Sequence, residues 1–162
     1  MFSTCDFCDA HKEDASGQFR VLAMPWRSYG GVERFYGAVQ TVQCFEDNTA
    51  VKAAVESAGE GRVLVVDAGG SMRKAVLGGN LAAAAARNNW AGLVISGCVR
   101  DLRELEAASV GIFALGHVPM PTSRKDQGLT GVPIQVGGVW VKAGEWIYAD
   151  QDGVVVSHQL IH

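Results

Sequence analysis

No run of lysine or arginine in the 162-residue chain exceeds two residues, and phosphate recognition needs clustered cations. With 14 basic and 17 acidic side chains the formal net charge is -3, so no direct nucleic-acid partner is expected. No apolar stretch approaches the roughly 18–20 residues of a membrane span. The segment Met1 to Asp14 carries several acids and no cationic-then-apolar leader, which makes the cytoplasm the expected compartment and a membrane partner unexpected. Zinc ligation is also short of ligands. Cys5 and Cys8 form a C-x-x-C, but Cys44 and Cys98 stand apart rather than as a second pair, so the motif reads as incidental and the thiols as reduced. Asp67-Ala68-Gly69-Gly70-Ser71 lacks the Gly-Lys-Ser/Thr of a phosphate loop and the three-glycine dinucleotide pattern. Asp150-Gln151-Asp152-Gly153 lacks the third acid and terminal Glu of a calcium loop. Both read as turns.

The chain does hold enough apolar matter for one real core. It is 48% hydrophobic and 19% charged, globular in composition and of a length for one domain, residues 1–162. Val63-Leu64-Val65-Val66 is a continuous β-branched run, the pattern of a strand buried on both faces. Leu93-Val94-Ile95 is a second, with Gly97 expected to break it. Between them Gly78-Gly79 opens a helix over Asn80 to Asn89, whose alanines Ala82 to Ala86 suit close packing on a sheet. Strand, helix and strand make a parallel βαβ unit.

The flanks are β-rich. Arg34 to Cys44 alternates as a strand, and Gln18 to Met24 reads as another. Val132 to Val136 and Val139 to Val141 form a hairpin about Gly137-Gly138, and Trp146 to Ala149 pairs with Val154 to Val156. Pro25 to Gly31 and Pro119 to Thr130 read as loops. Val51, Ala54, Val55 and Ala58 fall on one face of a helix that Asp47-Asn48 would cap and Gly59 would stop. The expected class is α/β, in one domain with a parallel βαβ centre and β-hairpins.

Two readings compete for Arg100-Asp101-Leu102-Arg103-Glu104. Asp101 and Glu104 have the capping-box spacing, which explains both acids at a helix start. That leaves Arg100 unexplained, a cation at the positive end of a helix dipole. An anionic ligand or a metal-bound carboxylate would account for it. Gly78-Gly79-Asn80-Leu81 is a second candidate, since free amides at a helix N-terminus favour an anion. Parallel neighbouring strands end on the same side, so the two stretches can lie together.

Gly79, twenty intervening residues and then Arg100-Asp101-x-x-Glu104 resembles the signature of the class II aldolases that cleave 4-hydroxy-4-methyl-2-oxoglutarate and 4-carboxy-4-hydroxy-2-oxoadipate. The wider family includes the regulators of ribonuclease activity. Cys44-Phe45-Glu46-Asp47-Asn48, Gly61 to Asp67 and Tyr148 to Gly153 resemble it as well, so the likeness runs along nearly the whole chain. The resemblance implies a swivelling β/β/α fold, a homotrimer or hexamer, and a Mg²⁺ or Mn²⁺ ion. By position it implies that Asp101 binds the metal, that Glu104 reaches it through water, and that Arg100 contacts the substrate's oxygens. Backbone amides of Gly78, Gly79, Asn80 and Leu81 would hold the carboxylate of a small oxo-acid. The activity implied is cleavage to pyruvate and a second oxo-acid, with oxaloacetate decarboxylation as a side activity. The alternative is a non-catalytic regulator that binds ribonuclease E.

Overall fold

Runs of β-branched residues alternate with helical stripes along the chain, and in the computed structural model, which describes residues 1–162, they stack into three layers. In chain order the elements are α1 Thr4–His11, β1 Phe19–Val21, β2 Arg27–Ser28, β3 Phe35–Gln43, α2 Thr49–Val55, β4 Val63–Asp67, β5 Ala75–Leu77, α3 Gly79–Arg87, β6 Gly92–Val99, α4 Leu102–Ala107 and β7 Gly111–His117. The last part of the chain is all strand: β8 Leu129–Thr130, β9 Ile134–Val136, β10 Val139–Val141, β11 Trp146–Asp150 and β12 Gly153–Ser157. No helix is long and apolar enough to cross a membrane.

The centre is a parallel sheet in the order β3-β4-β6-β7, with α2, α3 and α4 as the crossovers. One face of this sheet, through Leu64, Val66, Leu93 and Ile95, packs on Val51, Ala82, Ala85 and Leu105 of the helices. The other face, through Val63, Val65, Val94 and Phe113, packs on Ile134 and Val141 of the β9–β10 hairpin and on Ile147 and Val156. Each fully buried aliphatic side chain contributes about 1.5–3 kcal/mol of transfer free energy. Burial on both faces explains why β4 and β6 carry apolar residues without alternation. The layering is therefore β/β/α, as expected.

A single strand joins the two sheets. The first half of β3 pairs antiparallel with β11, from Phe35 to Ala38, and the second half pairs parallel with β4, from Val39 to Gln43. Beyond β11 lie β12 and β1, covered on their outer side by α1. The buried Asp150 carboxylate fastens that helix by accepting from Thr4 N at 2.8 Å and Thr4 Oγ1 at 2.6 Å.

Several local expectations need correction. Gly97 does not end the strand: β6 runs on to Val99 and is buried throughout. A register shift in its pairing with β7 falls between Ile95 and Cys98, so Gly97 sits in a β-bulge. A side chain at Gly97 would meet the Ala68 methyl at 2.8 Å. The helix after β4 does not follow it directly. An extra short strand, β5, intervenes and pairs with the far end of β6. The loops at Pro25–Gly31 and Pro119–Thr130 each contribute a two-residue edge strand, β2 and β8. The helix after Asn48 ends at Val55, short of Ala58, and the first strand is only Phe19–Val21.

Candidate active site

Because β6 continues to Val99, it delivers Arg100 and Asp101 to the C-terminal end of the central sheet, where ligands gather in open α/β folds. Pairing of β5 with β6 brings the start of α3 to the same place, and Arg100 N donates to Leu77 O at 3.0 Å. The two candidate stretches are thus adjacent.

The Asp101 side chain does not cap its own helix. Asp101 sits at the start of α4 with φ 63° and ψ 53°, in the left-handed region, and its side chain makes no capping bond. Aspartate is among the few non-glycine residues that visit this region readily. The turn swings the carboxylate across to α3, where Oδ2 accepts from Gly79 N at 2.9 Å. Glu104 does not reach back to its own helix start either. It lies across Gly79, so that a Cβ there would fall within the Glu104 carboxylate, and a Cβ on Gly78 would stand 2.6 Å from Asp101 Oδ2. Both glycines are required by close approach. The capping-box spacing is present, but its two acids serve a different helix.

These groups open on a cleft of about 90 Å³, lined by Gly78, Gly79, Asn80, Leu81, Arg100 and Asp101. Gly78 has no side chain with which to cap α3, and Asp101 takes only the Gly79 amide, so the first-turn amides of Asn80 and Leu81 line the cleft without a protein acceptor. Arg100 is half-buried, with Nη1 3.5 Å from Pro119 O.

A hard divalent ion fits this donor set. One Asp101 oxygen is held by Gly79 N, and the other has no protein partner. No group of three or more His, Cys, Asp or Glu side chains is placed to hold a metal ion. One carboxylate with a second nearby suits Mg²⁺, which keeps several waters and takes few protein ligands. The cysteines lie elsewhere: Cys44 and Cys98 are buried, and Cys5 and Cys8 belong to α1. Hydrogen bonding and charge from Asp152 push the Cys5 thiol up, and burial pushes up that of Cys8, opposite to what a reactive thiolate needs. The four-residue spacing of His158 and His162 falls outside any helix.

The remaining wall comes from residues that spacing along the chain does not reveal: Asn48, Ala75, Pro121 and Arg124. Asp47 fixes this wall. Its buried carboxylate accepts from Thr49 N at 3.0 Å, Thr49 Oγ1 at 2.7 Å and Gln127 N at 2.9 Å. Burial by itself would raise its pKa, but these bonds from Thr49 and from the amides of Gln127 and Lys125 outweigh that and hold it well below the usual carboxylate range. A depressed folded pKa stabilises the fold above the unfolded value of about 3.9, and the contribution is lost as pH falls below it. Stability should therefore decline from about pH 4 downwards, and Asp47→Asn should flatten that acid limb while lowering stability at neutral pH. Chemical denaturation midpoints measured from pH 7 to pH 2.5 test this; an identical acid limb in the variant would exclude Asp47 as its source.

The β/β/α layers and a small polar cleft at the end of a parallel sheet define a class, and comparison with known proteins gives the family. The model of the RraA-like family, described as Aldolase/RraA, matches residues 4–156, and the chain belongs to that family. It is 57% identical over 164 residues to a protein of Albidiferax ferrireducens that carries the provisional name 4-hydroxy-4-methyl-2-oxoglutarate aldolase, covering 96% of this chain and 95% of that one. A Burkholderia multivorans protein of the same provisional name is 52% identical, with 96% of each chain covered. Among solved structures, the RNA-processing inhibitor RraA from Thermus thermophilis superposes with a TM-score of 0.93 at 40% identity, covering 100% of this chain and 96% of that one.

Proposed function

We propose that this chain is a divalent-metal-dependent lyase. It cleaves 4-hydroxy-4-methyl-2-oxoglutarate or 4-carboxy-4-hydroxy-2-oxoadipate to pyruvate and a second oxo-acid, and decarboxylates oxaloacetate as a side activity. The observation that carries this is the turning of Asp101 away from its own helix and onto Gly79 N, beside Arg100, with one oxygen left free. A cap of α4 would have no reason to adopt that geometry.

Retro-aldol cleavage and decarboxylation both leave an enolate whose charge must be held. A bound Mg²⁺ or Mn²⁺ supplies the Lewis acid for this. Asp101 would hold the ion, and Glu104, packed over Gly79, would orient water near it. The amides at the start of α3 hold the substrate's 1-carboxylate. Arg100 places a fixed guanidinium beside the oxygen on which negative charge grows. The half-buried position of Arg100 limits water around that oxygen and strengthens the contact.

A coupled assay for pyruvate release with and without Mg²⁺, on oxaloacetate and on a 4-hydroxy-2-oxo diacid, tests this reading. Metal-dependent pyruvate from both is expected; its absence from both would sink the proposal.

The likeness to the Thermus RNA-processing inhibitor supports a second reading, a regulator that binds ribonuclease E in the cytoplasm and makes no direct contact with nucleic acid. Either reading is compatible with a homotrimer or hexamer. The exposed Phe45, Met72, Met120 and Leu129 supply apolar surface for such packing. A monomer by light scattering at micromolar concentration would exclude it.

A further inference from the structure

Arg124 is the one cation of the cleft that the lyase reading leaves without a role. It is exposed and forms no ion pair or hydrogen bond within the chain, yet it lines the same cleft as Arg100 and Asp101. Its loop is not loose. On one side of Arg124, Thr122 Oγ1 accepts from Asn48 N at 3.2 Å, and Ser123 bridges to Asp47. On the other, Asp126 N donates to Thr49 Oγ1 at 3.2 Å and Gln127 N to Asp47 Oδ2 at 2.9 Å. The loop is thus tied down on both flanks of an arginine that itself has no partner.

The same wall holds a second polar group. Asn48 Oδ1, on the same wall, is buried and has no hydrogen-bond partner. Although Asn48 precedes α2, its side chain makes no capping bond. This wall is therefore polar and cationic.

Charge narrows the occupant. A divalent ion together with the guanidiniums of Arg100 and Arg124 outweighs the carboxylates of Asp101 and Glu104 by two positive charges. A monoanion such as pyruvate leaves one of these unmatched; a dianion matches both. We propose that Arg124 is a specificity-determining residue. It pairs with a second carboxylate at the far end of the ligand, opposite the carboxylate held at α3, so that the cleft selects oxo-diacids over oxo-monoacids of the same length. This rests on the lyase reading for the placement of the oxo-acid end.

Two stable 2-oxo acids of equal chain length serve as probes: 2-oxoglutarate, which has the second carboxylate, and 2-oxopentanoate, which lacks it. Calorimetric titration in the presence of Mg²⁺ should show the wild type binding 2-oxoglutarate about tenfold or more tightly, the scale of one charge-assisted pair. Arg124→Gln should bring the two affinities together by weakening 2-oxoglutarate alone, and Arg124→Lys should restore part of the preference. Arg124 is exposed and unpartnered, so unchanged thermal melting is expected of both variants. Equal binding of the two acids by the wild type, binding of neither, or an undiminished preference in Arg124→Gln would each overturn the proposal. A wild type that prefers 2-oxoglutarate but releases no pyruvate from oxaloacetate or the 4-hydroxy-2-oxo diacid would instead sink the lyase reading while sustaining the diacid subsite.

Discussion

Asp101→Asn is expected to lower metal-dependent pyruvate release by about 10²-fold or more, the scale of a lost electrostatic contact to a transition state, and to leave thermal stability nearly unchanged. The two effects separate because of where the residue sits. Asparagine tolerates the left-handed backbone at φ 63° as aspartate does. Its amide oxygen can still accept from Gly79 N, and no capping bond is lost because none is made. Only the charge changes, and with it the hold on a divalent ion. Full metal-dependent activity in the variant would remove Asp101 from the metal site. A fall of several degrees in melting temperature with activity intact would make the carboxylate structural.

Arg100→Lys is expected to reduce kcat by about 10- to 10²-fold, and by more than it raises KM. Lysine keeps the charge but not the planar fork. The backbone is set independently of the side chain, since Arg100 N is held by Leu77 O at 3.0 Å. Substrate still reaches the amides at the start of α3, so the ground state suffers less than the transition state. In the regulator reading the same change touches one peripheral charge, and ribonuclease binding should scarcely move. Steady-state kinetics and a pull-down with ribonuclease E on the same preparation distinguish the two. Loss of ribonuclease binding with pyruvate release intact would refute the catalytic role of Arg100.

Much of the layering was legible along the chain. The unbroken runs of β4 and β6 signalled burial on both faces, and the alanines of α3 signalled a helix pressed on a sheet. Such patterns are local: burial of both faces selects apolar residues at every position of a strand. The ends of elements were less legible. Gly97 reads as a terminator in isolation, but it occupies a bulge because pairing with β7 continues past it. Whether a glycine stops a strand depends on what lies beside it. The short β5 is three residues long and carries no periodicity of its own; the edge of β6 decides that it is a strand.

Pattern along the chain sufficed for the parallel centre, the flanking hairpins, and the two stretches, Gly78–Leu81 and Arg100–Glu104, that line the cleft. It left Asp101 and Glu104 between a cap and a site, because three-residue spacing satisfies either. The fold excludes the cap of α4, because the Asp101 side chain makes no bond to its own helix. Gly79 N lies 22 positions from Asp101 along the chain, and it becomes the acceptor's partner because β5 and β6 pair and set α3 against α4. The same holds for Arg124 and Asn48, which share a wall with Arg100 only after Asp47 draws the 122–127 loop onto the start of α2. A carboxylate takes whichever amide the fold brings within reach, and spacing along the chain lists only the nearby ones.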